Sequence, residues 1–308
     1  MSLFANDSQP SAPVWAGFFS IEQYARFLGH VHDYLRENHI EATIQEGLIT
    51  IPAGNHKLGL HNLAQLCFHS PEERWHTLIF SHLTRVLAST AKDEILAQAT
   101  APYEEVADKL AIRMWPKAIL EATNASELVT REYIPDIISV LVYDNPESIS
   151  TVGWSTIKNW DLSLDDIFER ALANVKRDMP PKITKVQIEE GAEVTVFLSE
   201  NFFMTTHALF LDGFEDCIGT FGSLVGIPHR HALLCFPIDD VSVVNVLSNL
   251  VIAVHNMHGE GPGSISPFLY WYTGGEYIQL PHEIDDNQLT FLPPPEFIDL
   301  LDKIARAN

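Results

Sequence analysis

The sequence predicts an α+β fold, with a mixed or antiparallel sheet, helices packed on it, and a smaller helix-hairpin-helix region at the N-terminal end. Three observations lead there. Segments of helical and of alternating periodicity come in mixed order along the 308 residues, without the steady strand–helix alternation of a doubly wound sheet. Hydrophobic residues make up 46% and charged residues 19%, enough apolar material for a packed core. No internal repeat or low-complexity tract interrupts the pattern.

Residues 1–19, rich in Ser, Pro and Asn, read as a flexible leader. Ser20 with Gln23 has the spacing of a capping box, and Ile21, Tyr24, Leu28, Val31 and Leu35 then predict a helix over 21–37. Residues 42–51 alternate around Glu46-Gly47, the pattern of a hairpin. Ser70-Pro71 opens a second helix, with Trp75, Leu78, Ile79, His82 and Val86 as its inner stripe. These elements fill an N-terminal region, 20–100, followed by a connector.

The larger domain spans 109–292. LAIRMWP (110–116) and IISVLVYD (137–144) are rich in branched and aromatic residues and read as strands. Ser163 caps a helix whose first turn holds Asp165 and Asp166 and whose last holds Lys176 and Arg177, matching the helix dipole at both ends. VQIEEGAEVTVFL (186–198) reads as a hairpin, and GIPHRHALLCF (226–236) as a single strand entering a buried environment. A long apolar helix follows from Val241 to about Met257, stopping at Gly259. A β segment from Phe268 to Leu280 turns at Gly274-Gly275, and three prolines set off a helical tail, 293–308.

Charge excludes several classes of partner. With 41 acidic and 19 Lys or Arg residues the formal net charge is −22, which opposes nucleic acid and anionic membrane surfaces. No apolar run approaches the length of a membrane span, and the first 20 residues lack the basic start of a secretory signal. Three cysteines, Cys67, Cys217 and Cys235, form no disulfide framework, so a reducing, cytoplasmic setting is expected.

The run LVYDNPESISTVGWSTIKNWDLSLDDIFERALANVKRDMP (141–180) resembles the core signature of the YtpQ-like family of uncharacterised bacterial proteins. The matching positions are Arg113, Asp144, Trp160, Ala171 with Asn174, and Pro228, and SISPFLYWYTGGEYIQ resembles the family's closing strand pair. The resemblance covers about 109–281; it implies a fold and an intracellular bacterial origin and adds nothing about chemistry. The chain departs from the family at His231, where family members often carry Asp or a similar polar group.

Among 14 histidines the best metal constellation is His229 and His231, sharing one face of a strand, with His255 or His258 from the following helix and Glu260 as a base. Arg230 is the one basic residue between Lys185 and Lys303 and, on a single strand, points away from both histidines. With Arg113 it suits an anionic ligand. The aromatic cluster around Trp271 and Tyr272 suits a protein-binding face if one side stays uncovered. No nucleophile elbow, phosphate loop or cofactor motif emerges; the Gly259–Ser264 run follows a helix and reads as a helix stop. The leading expectation is a non-catalytic, acidic factor that binds a protein, a basic partner in an inhibitor or immunity role being the one its charge would suit. A metal-dependent hydrolase and a binder of a small anion are the alternatives.

Overall fold

The computed structural model describes residues 12–52, 56–89, 100–122, 125–145, 149–189, 192–199, 201–285 and 288–307. The chain divides into two units, Met1–Ala91 and Lys92–Asn308.

In the first unit the capping box forms as the spacing requires: Ser20 Oγ accepts from Gln23 N and Gln23 Oε1 from Ser20 N, both at 3.1 Å. Helix α1 (Ile21–Glu37) buries Phe27, Val31, Tyr34 and Leu35. The expected hairpin is β1 (Thr43–Gln45) with β2 (Leu48–Ile51), and a third antiparallel strand, β3 (His56–Gly59), joins it. Its turn has Glu46 at φ 48° and Gly47 at φ 75°, a left-handed pair in a two-residue hairpin loop. Helices α2 (His61–Phe68) and α3 (Trp75–Ser89) close the unit over Ile49, Leu63, Cys67, Trp75 and Ile79. Residues 12–19 are not the loose leader expected, because Ala16 and Phe19 are buried in this core.

In the second unit, strands β4 (Leu110–Pro116), β5 (Thr130–Ile134), β6 (Ile137–Asp144) and β7 (Ile149–Thr151) form an antiparallel sheet in the order β4-β6-β5, with β7 also on β6. Helix α4 (Leu164–Asp178), capped by Ser163 Oγ, lays Ile167, Phe168 and Ala171 against Leu110, Ile112 and Leu141 on one face of that sheet. A buried amide fixes the contact. Asn174 Nδ2 donates to the carbonyls of Ala107 and Leu110, both at 2.8 Å.

The second sheet has six antiparallel strands: β8 (Lys182–Glu189), β9 (Ala192–Leu198), β10 (Ser223–His229), β11 (Ala232–Pro237), β12 (Leu269–Thr273) and β13 (Glu276–Leu280), ordered β13-β12-β10-β11-β9-β8. One face packs on helix α5 (Ser242–Glu260) and on helix α6 (Pro295–Ala307), whose Phe297, Leu300 and Ile304 lie in the same core as Trp271. The opposite face meets Met114, Ile134 and Ile137 of the first sheet and the helical segment Met204–Gly213. A further hairpin, β14 (His282–Asp285) with β15 (Gln288–Phe291), leads into α6. Among the described residues no helix is long and apolar enough to cross a membrane.

Candidate anion-binding site

The site is built around the turn that joins β10 and β11. Pro228 has no N–H for the ladder, and between the pairs Gly226–Leu234 and His229–Ala232 strand β10 carries one residue more than β11. Beyond this bulge, Arg230 and His231 form a two-residue loop. Residues 226–236 are therefore two strands and not one, which removes the shared strand face of His229 and His231 and the opposed position of Arg230. The loop lacks the Gly, Asn or Asp that marks most tight hairpins, so periodicity ran straight through it.

Within the turn, Arg230 Nε donates to His231 Nε2 at 2.9 Å, and His231 Nδ1 donates to the Ser199 carbonyl at 2.8 Å. The backbone N–H of His231 donates to His229 Nδ1 at 3.3 Å. The glycine-rich segment after α5 seats the turn. Arg230 N donates to Gly263 O at 3.1 Å, and a side chain at Gly261 would enter the His229 ring. At Gly263, φ is +71° and a Cβ would stand 2.9 Å from Arg230 Cδ. The helix itself runs through Gly259 to Glu260 and is capped by Gly261.

Arg113 reaches the same place from β4, where the pleat aligns it with Ala111 and Trp115. Its guanidinium carbon lies 5.6 Å from the Trp115 ring centroid and 5.3 Å from that of Phe202; Arg230 lies 4.6 Å from the same Phe202 centroid. Phe202 follows β9 in a short turn held by Asn201 Oδ1, which accepts from Phe203 N at 2.8 Å. Phe203 is buried while Phe202 remains 38% exposed.

The electrostatics of Arg113 are unusual. Among the described residues no carboxylate lies within ion-pair distance of it, and its Nε is shielded from solvent without a hydrogen-bond partner. Burial, and secondarily the charge of Arg230, pull its guanidinium down from the ordinary 12.5 to about 10. Burial also pulls His229 down to about 4, helped by His231, Arg230 and His258.

The structure thus brings Arg113 and Arg230 together, as the anion reading expected, and parts the other candidates. Among the described residues no three His, Cys, Asp or Glu side chains are placed to hold a metal ion. The His229 and His231 ring centroids stand 6.4 Å apart, and His255 pairs instead with His282, Nδ1 to Nε2 at 3.4 Å. His258 lies near the end of α5, its imidazole held low by burial and by His255, and Glu260 is exposed on the last turn. Trp271 and Tyr272 are not a docking face. Both are under a tenth exposed: Trp271 packs on Phe297 and donates to Phe221 O, and Tyr272 OH donates to Asp212. A strand inside a sheet covered on both faces leaves no aromatic side in solvent.

Most of the residues that carried the family resemblance have structural work. Trp160 Nε1 donates to Ala101 O, Ala171 lies in the core beneath β4, and Asn174 is the buried amide described above. Phe202, Ser199, Trp115 and His282 escaped sequence reasoning: the first two lie between strands, where no periodic signal marks them, and the roles of Trp115 in β4 and His282 in β14 depend on residues distant in sequence. The chain matches no protein-family model, no curated protein and no solved structure.

Proposed function

We propose that this protein binds a small oxyanionic ligand, a carboxylate or phosphate, through Arg113 and Arg230 at the Phe202 ring. The observation that supports the reading is Arg113, a half-buried arginine with its Nε shielded from solvent, to which the described residues supply no counter-charge. A buried charge without a partner is costly, and an oxyanion that accepts from the planar fork removes that cost. The ligand is small because a surface of net charge −22 repels polyanions while a local cationic site still attracts a single anionic group. Three free, buried thiols suit a reducing, cytoplasmic setting. The YtpQ-like resemblance of residues 109–281 remains part of this proposal on the residues quoted for it.

The test is calorimetric titration and thermal denaturation with inorganic phosphate, acetate and succinate, against chloride at matched ionic strength. A ligand specific for the folded state raises the melting temperature in proportion to its saturation. The expected result is a response in the natural protein that Arg113→Met abolishes. An Arg113→Met protein responding like the natural one, or no response in either, refutes the reading.

A further inference from the structure

We infer that His231 is the positioning residue of this anion site: a neutral imidazole with its proton on Nδ1 anchors Arg230 through Nε, so that contact with the ligand falls to the Nη1/Nη2 end of that guanidinium. The inference rests on the anion reading above and deepens it.

Two hydrogen bonds fix the protonation state. An arginine Nε can only donate, so His231 Nε2, 2.9 Å away, must carry a lone pair. A carbonyl oxygen can only accept, so His231 Nδ1, 2.8 Å from Ser199 O, must carry the proton. The neutral Nδ1–H tautomer alone meets both demands; an imidazolium has no acceptor left for Arg230. The neighbouring bond agrees, because His231 N–H donating to His229 Nδ1 requires that nitrogen also to be unprotonated.

Among the described residues, groups from several elements face this turn. Arg230 and His229 belong to the turn itself, and Ser199 O and Phe202 come from the segment after β9. Arg113 faces Arg230 from β4, and His258 faces His229 from α5. The two arginines then divide the work. Arg230 has its Nε committed within the protein, while Arg113 has an Nε with no protein partner. Arg230 therefore meets the oxyanion end-on, and Arg113, whose Nε is shielded from solvent, meets it through the rest of its guanidinium.

The experiment uses the full ¹⁵N-labelled chain, with inorganic phosphate and acetate as separate probes to distinguish a phosphate from a carboxylate ligand. Without ligand, imidazole ¹H–¹⁵N spectra should show His231 Nε2 at a lone-pair shift and Nδ1 at a protonated shift, with the Arg230 Nε–H protected from exchange. His231→Gln keeps an acceptor near the Nε2 position and should retain affinity for the preferred probe. His231→Phe keeps a ring without an acceptor; it should lose about tenfold, the worth of one charge-assisted bond, together with protection of the Arg230 Nε–H. An Nε2–H tautomer, or a His231→Phe protein that binds as tightly as the natural one, overturns the positioning role. If the predicted tautomer is seen but the natural protein binds neither probe, the anion reading fails while the geometry of the turn stands.

Discussion

Replacing Arg113 with Met should make the ligand-free protein more stable while removing its response to oxyanions. The guanidinium is held from 12.5 down to about 10, and at about 1.4 kcal/mol per tenfold this is a penalty of about 3 kcal/mol on the charged form. Because the folded value lies below the unfolded one, the penalty is fully present at neutral pH and fades only as pH rises from about 10 toward 12.5. Methionine keeps the aliphatic stem against Trp115 and Phe202 but forfeits two cation–π contacts of roughly 0.5–1 kcal/mol each. The balance is a gain of ~1–2 kcal/mol, or a rise of a few degrees in melting temperature for a unit of this size. Urea denaturation followed by tryptophan fluorescence reads the midpoint directly. A variant less stable than the natural protein would show Arg113 to be a structural cation whose counter-charge is already supplied, and would falsify the reasoning from its isolation.

Three other perturbations have defined outcomes. Gly263→Ala forces a left-handed residue with a Cβ against Arg230 Cδ, so oxyanion affinity should fall about tenfold and stability by roughly 1–2 kcal/mol, read by calorimetry and urea midpoint. His229 is held near 4 in the fold, so the unfolded chain takes up a proton that the native state refuses as pH falls from about 6.5 to 4; stability should drop across that window, by up to ~3 kcal/mol, and His229→Gln should flatten the profile of urea midpoint against pH. His258 and His282, both held low by burial, act in the same direction. Asn174→Ala removes two buried hydrogen bonds, one to Leu110 O and one to Ala107 O, which keeps the Leu110 N–H, and should cost about 1–2 kcal/mol in chemical denaturation with no change in anion affinity per folded molecule.

Local chemistry was legible in the sequence wherever one residue's partner lies within a turn or two. Ser20 with Gln23, Ser163 at the start of α4 and Glu46-Gly47 all form what their spacing dictates, because capping and tight turns are decided by adjacent backbone groups. Arg230 could be singled out by its isolation among acids, and Arg113 by the family resemblance, but their meeting at Phe202 depends on how two sheets stack. The metal constellation failed on the same ground: His255 finds His282, which only the return of β14 brings beside α5. Trp271 and Tyr272 alternate as a strand should, yet alternation cannot say that helices cover one side and Met204–Gly213 the other.

The Arg230–His231 loop crowns the two strands at the centre of a six-stranded sheet, with two strands flanking the pair on each side. Central strands open last, generally only when the whole unit unfolds. A ligand held there, and at the same time on β4, would bridge both sheets at the tip of their least yielding hairpin. Its grip would therefore register in amide exchange as slower release of the deepest protons throughout Lys92–Asn308, with no separate patch of local protection around the loop.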